Sequence, residues 1–112
     1  MSDEKQSTES TPTVRDAGDR YEIVVDGAVA GLTQYLDHGE QRIFFHTEVG
    51  ERYEGQGLAS ILVHDALTDT VARGKRIVPI CPYVAKYVRR HHDFDDNLDP
   101  VTPDAIAAVQ SS

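Results

Sequence analysis

Val49-Gly50-Glu51-Arg52-Tyr53-Glu54-Gly55-Gln56-Gly57-Leu58-Ala59-Ser60 is the stretch on which the fold turns. Upstream of it, apolar residues alternate with polar ones. Downstream they recur at helical offsets. Three glycines and a polar run separate the two periods, so a strand runs into a loop and the loop opens a helix. Such a junction is an anion cradle. Glycines at 55 and 57 let the backbone approach a phosphate and expose N–H groups, and the positive end of the helix dipole adds attraction. Arg52 is positioned in the sequence to reinforce a phosphate contact.

Reading upstream, residues 41–49 carry Ile43, Phe44, Phe45, Thr47 and Val49, the β-branched and aromatic content of a strand. Residues 37–40 are a turn cluster, and residues 28–36 form the strand before it. Asp26-Gly27 is a strong hairpin signal, because both residues tolerate positive φ. Residues 20–26 alternate, with Tyr21, Ile23 and Val25 on one face and Arg20 and Glu22 on the other. Three strands joined by tight turns predict an antiparallel meander. Residues 1–12 hold one hydrophobic residue, Met1, too few to repay ordering, and read as a disordered polar tail.

Reading downstream, Ala59, Leu62, Val63, Ala66, Leu67 and Val71 form one helical stripe, and Gly74 stops the helix. Residues 76–81 are a short buried strand. Pro79 inside it cannot donate to a ladder, which predicts an edge, a splay or a bulge. Pro82 suits a helix start, and residues 83–91 follow with Val84, Tyr87 and Val88 on the apolar side. Thr102-Pro103 caps a last short helix over 104–109. The expected order is β-β-β-α-β-α, a mixed α+β fold with a meander followed by a β-α-β crossover. The expected domain spans 13–100, with 101–112 as a short C-terminal helix or tail.

The 112 residues suit one domain. A formal net charge of −8 argues against a nucleic-acid partner and favours a cationic one, such as an amine. No apolar run is long enough to cross a bilayer, and no leader pattern stands at the N-terminus. The single cysteine, Cys81, excludes an internal disulfide and fits a reducing, cytoplasmic compartment. His91-His92 beside Asp93, Asp95 and Asp96 is a poor chelating set, since adjacent helical histidines point apart. No metal is expected.

Two familiar phosphate loops fail on spacing. The dinucleotide fingerprint needs a third glycine where Ser60 stands, and the P-loop needs a lysine that is absent. Arg52-x-x-Gly55-x-Gly57, followed by Leu58-Ala59, instead resembles the pyrophosphate motif Gln/Arg-x-x-Gly-x-Gly/Ala of the GCN5-related N-acetyltransferase superfamily. His46-Thr47-Glu48-Val49, Gly55-Gln56-Gly57-Leu58-Ala59 and Pro79-Ile80-Cys81-Pro82-Tyr83-Val84, then Tyr87 and Arg89-Arg90-His91, resemble its small YjdJ-type group. The similarity spans residues 14–98. It implies a minimal fold of that superfamily with acetyl-CoA as co-substrate. Val49, Arg52, Gly55, Gln56, Gly57, Leu58, Ala59 and Ser60 would hold the coenzyme. Lys86, Arg89 and Arg90 would meet its 3′-phosphate; a solvated helix end is the plain alternative. The resemblance also implies that the pantetheine arm lies between two splayed strands, 41–49 and 76–81.

Four residues are candidates for the chemistry. Cys81 precedes a helix start, where a thiolate is favoured, and the resemblance points to it as a nucleophile; a plain core cysteine is the alternative. His46 and Glu48 share a strand face by period two, and either could take the amine proton. Packing of His46 beside Phe44 is the structural alternative. Tyr87, i,i+4 from Tyr83, is by resemblance a proton donor to the leaving thiolate, or else a core or rim tyrosine. The expected activity is acetyl transfer to an amine of a peptide, protein or small molecule. A non-catalytic coenzyme-binding module and a small interaction domain are the competing readings. The chain is expected to act as a monomer or homodimer.

Overall fold

The computed structural model describes residues 11–111. Residues 1–10, most of the expected tail, lie outside the described residues. Five strands form one sheet in the order β1-β2-β3-β4-β5: β1 (Thr13–Asp16), β2 (Arg20–Val25), β3 (Ala28–His38), β4 (Gln41–Val49) and β5 (Arg76–Pro79). The first four are antiparallel neighbours, and β5 is parallel to β4. Helix α1 (Leu58–Ala72) makes the crossover between β4 and β5, and helix α2 (Pro82–Arg90) follows.

The meander therefore has four strands rather than the expected three. β1 has only Val14 as an apolar residue, too little to announce itself. It forms because β2 offers an edge: Thr13 to Asp16 register with Val24 to Tyr21, and Arg15 reaches Glu22 at 2.8 Å. Asp16 then accepts from the Gly18 N–H at 2.9 Å and from the Tyr35 hydroxyl at 2.6 Å, which pins the turn. The β2–β3 turn is as read, with φ of 53° at Asp26 and 82° at Gly27.

α1 lies across one sheet face and buries Leu58, Leu62, Val63, Ala66 and Leu67 against Tyr21, Ile23, Tyr35 and Phe44. Thr70 is also buried, its hydroxyl satisfied by the Ala66 carbonyl at 2.8 Å. The third helix, α3 (Pro103–Ser111), covers part of the opposite face, where Ala105 meets Ile43 and Val78. Its start is capped by Thr102, whose hydroxyl accepts from the Ala105 N–H at 3.1 Å.

A buried charge network ties β4 to β2, β3 and α1. Arg42 is 4% exposed; it donates to Asp37 at 2.7 and 2.9 Å and to the Tyr21 hydroxyl at 2.6 Å. Its guanidinium lies 4.0 Å over the Tyr35 ring. Tyr21 donates in turn to Asp69 at 2.5 Å. Burial, with the bond to Asp69, pushes the Tyr21 hydroxyl up to about 12, so it stays a donor.

β5 ends at Pro79, two residues before the expected limit. The parallel ladder stops at the pair Phe44 and Pro79, after which the Phe44 carbonyl accepts from both the Ile80 and Cys81 N–H groups, at 3.0 and 2.9 Å. Beyond this point β4 continues without β5. Beyond α2, a 3-10 segment (His92–Asn97) buries Phe94, and Leu98 bridges Ile77 on the outer side of β5.

Candidate active site

The end of β4 and the start of α1 build the first part of the site. The Gly50 N–H bonds the Ala30 carbonyl at 2.8 Å, and a 3-10 turn over Glu51–Tyr53 leads the chain away. Gly57 caps α1 in the left-handed region, at φ 75°, where most side chains would be strained. No side chain caps this helix and no acidic residue occupies its first turn. Its first hydrogen bond runs from the Ile61 N–H to the Gly57 carbonyl at 3.3 Å. The N–H groups of Leu58, Ala59 and Ser60 precede that bond, so they are donors at the positive end of the dipole.

A cavity of about 230 Å³ opens at this helix end, lined by Val49, Tyr53, Glu54, Gly55, Gly57, Leu58, Ala59 and Tyr83. Five of the eight residues expected around the coenzyme line it: Val49, Gly55, Gly57, Leu58 and Ala59. Arg52, Gln56 and Ser60 do not. The Arg52 guanidinium lies over the Tyr53 ring, 5.4 Å from its centroid. Tyr53, Glu54 and Tyr83 were not expected, and Glu54 is discordant as a carboxylate beside an anion site.

Tyr83 also lines a second groove, between α1 and α2, with Ser60, Lys86, Tyr87, Arg90 and His91. The Tyr83 and Ser60 hydroxyls are 3.4 Å apart, which joins the first turns of the two helices. Lys86 and Arg90 make this groove basic, while Arg89 stands outside it. Tyr87 stacks on His91 with centroids 4.3 Å apart. Burial, and then the charge of Asp93, raises the Tyr87 hydroxyl, which keeps it protonated near neutral pH.

Three of the four catalytic candidates, Cys81, His46 and Glu48, lie around the freed half of β4, and they divide between its two faces. The β3–β4 register passes from Tyr35–Phe44 to Gln34–His46, so Phe45 is an extra, bulged residue. The bulge reverses the alternation. Thr47 now shares the α1 face with Phe44, and its hydroxyl meets that of Thr33 at 2.9 Å. Cys81 donates to Thr47 Oγ1 at 3.3 Å; it is 4% exposed and belongs to the core cluster. His46 and Glu48 turn to the opposite face, away from Phe44, so the packing alternative for His46 does not hold. They do share a face: Nε2 of His46 lies 3.7 Å from Oε2 of Glu48, and both side chains are at least half exposed. Among the described residues no group of three His, Cys, Asp or Glu could hold a metal ion. No helix among them is long and apolar enough to cross a membrane.

Comparison with known proteins agrees with this fold. A family model described as GCN5-related N-acetyltransferase matches residues 20–97. The fold is similar to the solution structure of a GCN5-like protein from Staphylococcus aureus. That match has a TM-score of 0.62 at 13% identity and covers 81% of this chain and 91% of the other. It is also similar to the ribosomal-protein-S18-alanine N-acetyltransferase of Escherichia coli, with a TM-score of 0.50 at 15% identity, covering 69% of this chain and 48% of that one. No curated protein matches the chain at a significant level. The likeness to the two structures is one of fold; the family model, spanning more than half of the sequence, adds descent, and the chain belongs to the GCN5-related N-acetyltransferase family.

Proposed function

We propose that this protein transfers an acetyl group from acetyl-CoA to an amine. The observation that carries the reading is the uncapped start of α1 at Gly57, facing a cavity that continues through Tyr83 into a basic groove. The N–H groups of Leu58, Ala59 and Ser60 suit the pyrophosphate, and Lys86 and Arg90 suit the 3′-phosphate. Bound there, acetyl-CoA would supply an activated thioester. The freed edge of β4 is open to the pantetheine arm, because β5 has turned away at Pro79.

In the favoured route the transfer is direct. His46, paired with Glu48, takes a proton from the incoming ammonium. The amine nitrogen gains the acetyl carbon as the carbon–sulfur bond breaks; Tyr87 donates a proton to the departing sulfur, and the proton that the acetylated nitrogen sheds on becoming an amide restores the Tyr87 hydroxyl. A second route uses Cys81 as an acetyl carrier. The observation favouring it is position: Cys81 stands where the ladder ends, at the N-terminus of α2, with Thr47 beside its sulfur. Its burial favours the direct route, as do the exposed side chains of His46 and Glu48. The resemblance to the YjdJ-type group keeps the second route in play. The chain is taken to act in the cytoplasm, the compartment a lone reduced thiol favours.

The test is release of free thiol from acetyl-CoA by the purified protein, with and without an alkylamine. Amine-dependent release with a matching acetylated amine supports the reading. Tight coenzyme binding without release would make the protein a coenzyme-binding module, and absence of binding would overturn both.

A further inference from the structure

Charge is divided unevenly along the path proposed for the coenzyme. The groove between α1 and α2 is lined by two cations, Lys86 and Arg90, and by no carboxylate. The cavity at the start of α1 has one charged side chain in its lining, and it is that of Glu54. A negative charge therefore stands beside the helix end that suits the pyrophosphate, where it offsets part of the positive potential of the dipole.

The surrounding fold gives this carboxylate no other task. Glu54 is exposed, and among the described residues no cation pairs with it. Arg52, two residues earlier, is directed over the Tyr53 ring instead. The backbone of Glu54, by contrast, is fixed. Its N–H bonds the Glu51 carbonyl at 3.2 Å, it is extended at φ −66° and ψ 149°, and Tyr53 before it packs against the core. The residue is thus held at the cavity while its side chain supports no neighbouring element.

We propose that Glu54 limits the affinity of this site for coenzyme A. Its charge repels the pyrophosphate, so the coenzyme is held mainly by its far end in the basic groove and exchanges readily. The inference rests on the acetyl-transfer reading and deepens it, naming the residue that regulates exchange of product for co-substrate. Like charges set close together oppose binding even at a solvated site. Acetyl-CoA and coenzyme A share the pyrophosphate, so Glu54 weakens both alike. Weak hold has a use, since a product bound as tightly as the co-substrate occupies the site between turnovers.

The experiment is calorimetric titration of the full chain with coenzyme A, comparing wild type, Glu54→Gln and Glu54→Lys. It is run at ionic strengths of about 0.02 and about 0.5 M, which bracket strong and weak screening. Glu54→Gln should tighten binding about five- to tenfold at the lower ionic strength, and Glu54→Lys should tighten it further. The gain should fall below about twofold at the higher one. Acetyl-CoA should show the same ratios, and so should 3′-dephospho-coenzyme A, which keeps the pyrophosphate. Equal or weaker binding by Glu54→Gln overturns the proposal. A gain that ignores salt also overturns it, because packing rather than charge would then be the cause. So does a gain that vanishes with 3′-dephospho-coenzyme A, which would set Glu54 against the other phosphate. Tightening by Glu54→Lys alone would report a contact made by the new lysine and counts against the proposal as well. Wild-type binding separates the two claims. If wild type and both variants bind no coenzyme, the acetyl-transfer reading fails; if wild type binds and Glu54→Gln matches it, that reading stands and only the role of Glu54 is removed.

Discussion

Residues 41–44 and 46–49 belong to one strand, yet they are held in different ways. The first half of β4 lies between β3 and β5, with ladders on both sides. Its side chains are buried on both faces: Arg42 and Phe44 toward α1, and Ile43 toward α3. The second half has β3 on one side and a gap on the other. It carries exposed His46 and Glu48 on one face, and Thr47 against Cys81 on the other. The bulge at Phe45 is the border between the halves. One strand thus has a closed half and an open half within a few residues, because satisfied backbone groups and buried side chains rigidify, while an unpaired edge leaves donors and acceptors exposed.

That division is easiest to break at Arg42. Arg42→Ala removes a buried cation whose partners were arranged around it, and a loss of about 3–5 kcal/mol is expected in urea or thermal unfolding. Arg42→Met keeps volume and apolar contact and should lose less. A small effect of the alanine variant would mean that the first half of β4 is not the stabilising half.

The converse test lies on the open half. His46→Ala should lower kcat by about 10²-fold or more while shifting unfolding by no more than about 0.5 kcal/mol. Cys81 sharpens the mechanism. If it carries the acetyl group, Cys81→Ser abolishes transfer, and brief incubation of wild type with labelled acetyl-CoA leaves an acetyl mass on its peptide. Unchanged turnover in Cys81→Ser and Cys81→Ala ends that route.

Gly57→Asp probes the cradle beside the open half. It sets a carboxylate against the pyrophosphate and a side chain at φ 75°, and the thermal stabilisation by acetyl-CoA should disappear. Wild-type affinity in this variant would move the coenzyme elsewhere.

Acid should reveal the closed half more gently. The hydrogen bond from Arg42 holds the Asp37 carboxyl below its ordinary value of 3.8. For Asp69 burial pushes upward, but the bonds from Tyr21 and Arg73 outweigh it, and the net shift is also downward. Groups depressed in the folded state contribute stability above their unfolded value and lose it as pH falls through the folded one. Urea midpoints should therefore be flat above about pH 5 and fall below about pH 4. The fall should be shallower in Arg42→Ala. The smallest effect expected is that of starting the chain at Thr13, which should leave unfolding free energy and coenzyme affinity unchanged within about 0.5 kcal/mol.

Much of this architecture follows from local chemistry. Asp26-Gly27 determines a hairpin through positive φ, alternation determines the strands, and Gly57 before an apolar stripe determines a helix start that can face an anion. Pro79 and Pro82 mark where β5 ends and α2 begins, because a residue without an N–H is locally restrictive wherever it stands. The glycines at 55 and 57 and the candidates His46, Glu48 and Cys81 were chosen on local chemistry and on the family resemblance, and their roles stand as proposals. Tertiary structure alone decided the rest. β1 has no periodicity of its own and exists through the edge of β2. Nothing in the sequence marks Arg42, whose partners Asp37, Tyr21 and Tyr35 converge on it from other elements. Tyr83 joins the site only because the first turns of α1 and α2 meet. The face to which His46 and Glu48 turn was hidden for the deepest reason: a bulge is a mismatch between the residue counts of two strands, and neither strand's sequence alone contains it.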